Sequence, residues 1–168
     1  ARIVGKQWTE ELPAMRGAVM TGGRLLRLQV EWPRGRTGAR EPLLTTGRGG
    51  QGDVLVVEYV DEGSVRLSVD HWGSPGVTSE TIGINPSQPA ELEIGFPSLA
   101  TPPEGDLAKA VRRGRLFVKV NGALVWARTV DFYTAAAHEV EVGRNSIGAT
   151  SCGREFTGKI LSMRRAER

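Results

Sequence analysis

The 168-residue chain has one cysteine and two histidines, its aromatic residues amount to 6%, and it lacks any run of eighteen apolar residues. Each scarcity excludes something. Cys152 alone cannot close an internal disulfide, and no second thiol exists for a structural zinc site, so the redox compartment is left open. Without a long apolar run, or a charged start leading into an apolar segment, no spanning helix and no signal peptide is expected in the chain as given. Sustained helical periodicity is also nearly missing, which excludes a helical bundle and alternating βαβ units.

Glycine is plentiful, at 22 residues, with 9 prolines and no collagen-like period. That composition serves many tight turns between short strands. Alternation with a period of two supplies the strands. In residues 24–32, Leu26, Leu28, Val30 and Trp32 share one face, and Arg27, Gln29 and Glu31 the other. Residues 54–60 are almost continuously apolar, as in a central strand. Val65, Leu67 and Val69 alternate with Arg66, Ser68 and Asp70, and Asp61-Glu62-Gly63-Ser64 makes these two strands a hairpin. Leu92, Ile94 and Phe96 mark a further strand. Residues 116–125 form a hairpin about Asn121-Gly122, a dipeptide suited to the positive φ angles of a type I′ turn. Val140 and Val142 give a short strand, and residues 156–163 a last one after a turn region at 148–153. The single helix expected is short, over 106–113, with Asp106 as N-cap and Gly114 as its stop. Loops are expected at 33–42 and 100–105. A strand at 3–8 is expected to lie near the last one, because the termini of compact domains commonly meet.

Net charge is +3, from 22 basic and 19 acidic residues, the basic ones mostly arginine. Three arginine groups stand out: Arg34, Arg36 and Arg40; Arg112, Arg113 and Arg115; and Arg164, Arg165 and Arg168. Each falls at a strand edge or terminus, where charge keeps edges from pairing, and no nucleic-acid partner is expected.

Many short strands imply a sandwich or a barrel. Three stretches narrow this. Pro42-Leu43-Leu44-Thr45-Thr46-Gly47 precedes a long apolar strand, the Asn121-Gly122 hairpin stands in the middle, and Val142-Gly143-Arg144-Asn145 leads to Phe156-Thr157-Gly158-Lys159-Ile160. In this order they resemble the concanavalin A-like lectin/glucanase superfamily and, within it, laminin G-like modules, over residues 22–163. The resemblance implies an all-β fold, a two-sheet antiparallel jelly-roll sandwich, here one domain over 1–168 excised from a larger protein. It also implies an extracytoplasmic or cell-envelope setting. Enzymes, lectins and adhesion modules share the fold, so function must come from particular residues.

Glycosidases of the superfamily carry Glu-x-Asp-x-x-Glu on a strand. Here Glu91-Leu92-Glu93-Ile94-Gly95-Phe96 keeps the first acid, has Glu for Asp, and has Phe96 in place of the last acid. Glu91 and Glu93 share a face about 6.5 Å apart, a separation open to two-carboxylate chemistry and equally to a solvated surface. No serine or cysteine has the setting of a triad nucleophile beside His71 or His138. The segment Gly47-Arg48-Gly49-Gly50-Gln51-Gly52 lacks the Lys-Ser/Thr pair and following helix of a phosphate loop.

Asp70, His71 and Trp72, at a strand end before the Ser74-Pro75-Gly76 loop, bring an aromatic face and polar groups together. They either hold a sugar or cap the sandwich end. Arg144 and Asn145 either reach the same ligand or brace their loop. Trp8, Trp32 and Trp126 read as core or sheet-face residues. Asp53, Asp61 and Asp70 are oxygen donors for a structural calcium, without the spacing that would locate a site, and no other cofactor is expected. The leading expectation is a non-catalytic module that binds a glycan or a protein. The alternatives are a divergent glycoside hydrolase using Glu91 and Glu93, and a purely structural spacer.

Overall fold

Strands that alternate apolar and polar residues must lay one face against another sheet, and here two antiparallel sheets meet that need. The computed structural model describes residues 25–100 and 111–166. Its strands are β1 (Leu25–Glu31), β2 (Arg40–Arg48), β3 (Gln51–Asp61), β4 (Ser64–His71), β5 (Ser74–Thr78), β6 (Ile82–Gly83), β7 (Ala90–Gly95), β8 (Val111–Val120), β9 (Ala123–Tyr133), β10 (Val140–Val142) and β11 (Lys159–Ala166). One sheet runs β11-β1-β7-β8-β9. The other runs β10-β2-β3-β4-β5, with β6 also pairing with β4. The chain passes from sheet to sheet after β1, β6, β9 and β10, the connectivity of a jelly-roll sandwich.

The expected faces are the buried ones. Leu26, Leu28 and Val30 of β1 meet Leu55 and Val57 of β3, Leu67 and Val69 of β4, and Leu116 and Val118 of β8 in a single core. The unbroken apolar run of β3 has a second cause. Val54 and Val56 face away from the core and are covered by Ile147 and Ala149 of the excursion between β10 and β11, with Trp72 and Cys152 packed alongside. Both faces of this strand are therefore apolar.

At the β8–β9 turn Asn121 has φ of 49° and Gly122 of 83°, as the dipeptide requires. Trp32 and Trp126 are buried, and Trp32 meets Phe156 edge to face at 6.3 Å. A buried carboxylate organises this closing region. Glu41 accepts hydrogen bonds from Arg36 (3.0 Å), the Tyr59 hydroxyl (2.7 Å), and the Thr157 amide (2.9 Å) and hydroxyl (2.5 Å). Burial, then Glu41 itself, pushes the Tyr59 phenol well above its usual range.

Several boundaries differ from expectation. Residues 106–110 lie outside the described residues, but Val111, Arg112 and Arg113 are strand rather than helix, paired with Tyr133, Phe132 and Asp131. Gly114 does not stop a helix. It sits within β8, where a Cβ would approach Pro97 and Phe132 to 2.8 and 3.0 Å. A ten-residue ladder to β9 outweighs the weak local helical preference. The loop expected at 33–42 ends sooner, since β2 begins at Arg40, and a register shift beside Pro42 accommodates the proline in the sheet. Ser74, Pro75 and Gly76 form strand β5, not a loop. The last strand begins at Lys159 rather than Phe156. The strand expected at 3–8, Trp8, and the loop residues 101–105 lie outside the described residues.

Gly158 explains that late start. A side chain there would collide with the Glu31 carbonyl oxygen and the Phe156 ring, so Gly158 lets Phe156 turn into the core before β11 pairs with β1. Gly158→Ala is expected to lower stability by about 1–3 kcal/mol through overpacking, read as a lower urea midpoint at unchanged slope.

Candidate binding surfaces

Residues adjacent in a strand point to opposite faces, and this separates the cluster at the end of β4. Asp70 faces outward beneath the excursion and accepts the Ser151 hydroxyl at 2.5 Å. His71 faces the other way, toward Asp53 of β3, its register partner, with Nδ1 2.6 Å from Asp53 Oδ1. Its ring stacks on Tyr133 of β9 at 4.3 Å and 17°. The Tyr133 hydroxyl donates to the Trp72 carbonyl at 2.7 Å, while the Trp72 ring packs on the apolar cluster under the excursion. The three residues thus do not converge on one ligand. Asp53, weighed in the sequence as a calcium donor, is the member whose link to His71 sequence reasoning missed. It has 0% exposure and also accepts the Tyr133 amide at 2.7 Å and the Ser98 hydroxyl at 3.4 Å. Burial raises its carboxyl above the usual range, against the opposing pull of the Tyr133 amide and His71. The one legible signal was an Asp opening an apolar strand.

Asn145 is occupied within its own loop. Its amide donates to the Ala149 carbonyl at 2.7 Å and the Gly153 carbonyl at 3.4 Å, and its oxygen accepts the Ala149 amide at 3.0 Å. Arg144 is exposed, bridges to Glu155 through its backbone, and gives its carbonyl to the Thr45 hydroxyl at 2.7 Å. Arg40 ties the same excursion down, reaching the Ser151 carbonyl (2.7 Å), Glu58 (2.8 Å) and Ser68 (3.1 Å). The three aspartates weighed for calcium are in three different settings: Asp53 with His71, Asp70 with Ser151, and Asp61 accepting Gly63 and Ser64 in its own turn. Among the described residues no group of three His, Cys, Asp or Glu side chains is placed to hold a metal. No helix among them is long and apolar enough to cross a membrane.

Glu91 and Glu93 lie on the outward face of the five-stranded sheet. Glu91 is exposed, and Glu93 is flanked by Arg27 at 3.5 Å and Lys119 at 3.9 Å. Both line an open groove of about 740 Å³ that runs over β11, β1 and β7. Register sets Arg164, Arg27, Glu93 and Lys119 in one row across four strands, and Ser162, Gln29 and Glu91 in the next. Beside this row the Phe117 ring lies over Gly95, where any side chain would strike it. The alternation of β1 and β7 placed Arg27, Gln29, Glu91 and Glu93 outside. It could not say that β11 and β8 flank them, because those contacts bridge distant parts of the chain. The arginine groups are correspondingly divided: Arg164 borders the groove, whereas Arg165 is buried and burial lowers its guanidinium to about 10.

No family model matches the chain, and no curated protein sequence does. Among solved structures it is similar to the CBM40 module of the Ruminococcus gnavus IT-sialidase bound to α2,3-sialyllactose, at 15% identity and a TM-score of 0.58, covering 100% of this chain and 89% of that one. It is also similar to the heptameric SAP-like pentraxin of Limulus polyphemus, at 13% identity and a TM-score of 0.52, covering 85% of this chain and 63% of that one. These likenesses show the fold, a two-sheet antiparallel jelly-roll sandwich.

The excursion makes a checkable statement about the lone thiol. Burial, with the Asp70 charge next in weight, pushes Cys152 up to about 11. Thiolate is the reactive form, so native protein at pH 8 is expected to react with a disulfide reagent at least roughly tenfold more slowly than denatured protein, followed by thiol release.

Proposed function

We propose that this chain is a non-catalytic glycan-binding module and that its ligand lies in the groove on the outward face of the five-stranded sheet. The row Arg164, Arg27, Glu93 and Lys119 carries this reading. A glycan needs donors and acceptors in alternation, which the row and its neighbours Gln29 and Ser162 offer. Phe117 adds an apolar ring at the edge. Two guanidiniums facing each other across β1 and β11 suit an acidic sugar, whose carboxylate takes paired N–H donors. The CBM40 structures solved with α2,3- and α2,6-sialyllactose support trying sialylated glycans first.

Catalysis is disfavoured on the same face. A general acid works from a site shielded from water, whereas Glu91 is exposed and Glu93 stands between two cations in an open groove. The reading extends to a laminin G-like module of a larger, extracytoplasmic protein. Asp70 and Asn145, occupied by structural hydrogen bonds, have no part in the ligand site under this proposal.

Titration calorimetry with 3′- and 6′-sialyllactose, beside neutral lactose, tests it. The sialylated sugars are expected to bind and lactose to bind more weakly. Arg164→Ala should weaken binding about tenfold or more, as for loss of a charge-assisted hydrogen bond. Raising the salt concentration should weaken it further. Binding unchanged in Arg164→Ala, or no glycan bound above background on an array, would overturn the reading; release of sialic acid or of a reducing end would overturn its non-catalytic half.

A further inference from the structure

We infer that the cleft between the edges of β5 and β9 is a second binding site, for a single small oxyanion, in which His71 is the fixed donor and Asp53 its positioning residue. The starting observation is the cost of Asp53. Its carboxylate has no exposed surface, and burial raises its carboxyl above the ordinary range. Its hydrogen-bonding partners are the Tyr133 amide, the Ser98 hydroxyl and His71, so His71 is the one that can carry a compensating charge. An apolar residue on β3 would fill the end of the sandwich at lower cost.

What the carboxylate achieves is the orientation of one imidazole. Nδ1 is held 2.6 Å from Asp53, one ring face is stacked on Tyr133, and Tyr133 is itself tied to the Trp72 carbonyl. An ionised Asp53 can only accept, so Nδ1 then carries the hydrogen and the Nε2 edge is left to the cleft that His71 lines. That cleft holds about 180 Å³, with Val69, Val77 and Val130 as its apolar part and Ser74, Arg113, Arg128, Thr129 and Asp131 beside His71 as its polar part. Arg113 is shared with Asp131 at 3.5 Å, so Arg128 and His71 supply the positive charge. The volume is too small for an oligosaccharide and fits one sulfate, phosphate or carboxylate group with hydroxyl donors around it.

Because Nδ1–H is committed to Asp53, an anion can take a hydrogen bond from Nε2 only when the ring is protonated there. The charged and titratable groups facing His71 are Asp53 from β3, Asp131, Arg128 and Tyr133 from β9, and Arg113 from β8.

The test follows the imidazole C–H resonances of the full chain during titration with sodium sulfate, sodium phosphate and sodium acetate, against sodium chloride at equal ionic strength. The three salts separate sulfate, phosphate and carboxylate sources. A saturable shift of the His71 signal is expected with at least one of them. Affinity should fall about tenfold in Arg128→Ala, an exposed position that leaves the fold intact. Asp53→Asn should weaken binding and change the tautomer signature of the His71 ring nitrogens in 15N spectra, and His71→Gln should remove the binding itself. Sialyllactose titrations should be unchanged in Arg128→Ala, so failure here and failure of the groove are separately visible. A shift that does not saturate, that chloride reproduces, or that Arg128→Ala leaves unaltered overturns the inference.

Discussion

A carboxylate sealed from water must find its hydrogen bonds inside the protein, and Asp53 finds them only when both sheets have come together. Its partners come from β4, from the turn after β7 and from the end of β9. β3 and β4 belong to one sheet, β7 and β9 to the other. Apolar packing presses the two sheets together without setting their angle, since it is non-directional. The Asp53 hydrogen bonds are directional, and they set how the ends of the sheets meet. The cleft edge and the His71 ring follow from that single constraint.

Glu41 imposes a comparable demand in the closing region. Its oxygens are met by the loop before β2, by Tyr59 of β3, and by the segment that leads into β11. Closure of the sandwich is thereby coupled to the course of the excursion, which also covers Val54 and Val56. With one face of β3 under that excursion, the six-stranded sheet presents little open surface near its middle. The five-stranded sheet keeps its outward face, and there the polar halves of β1, β7, β8 and β11 form one continuous array.

Much of the fold was legible because burial repeats every second residue. The inward sets of β1, β4 and β7 could be named from spacing, and the Asn121-Gly122 turn from the one backbone geometry that suits that pair. Residues 111–113 were not legible. Their composition tolerates a helix, and only the ladder to β9 makes them strand. Asp70, His71 and Trp72 look like one site when written in a line, yet strand alternation sends Asp70 outward and His71 inward.

The sequence by itself determined the all-β class, the inward faces of β1, β4 and β7 and the Asn121-Gly122 turn, all properties of residue type and local period. Which strands lie side by side beyond the β3–β4 and β8–β9 hairpins was decided by the tertiary structure. Arg164 stands next to Arg27, and His71 next to Tyr133, through contacts between residues far apart in the chain. Such juxtapositions arise only when separated strands pack into common sheets, and no local pattern encodes them.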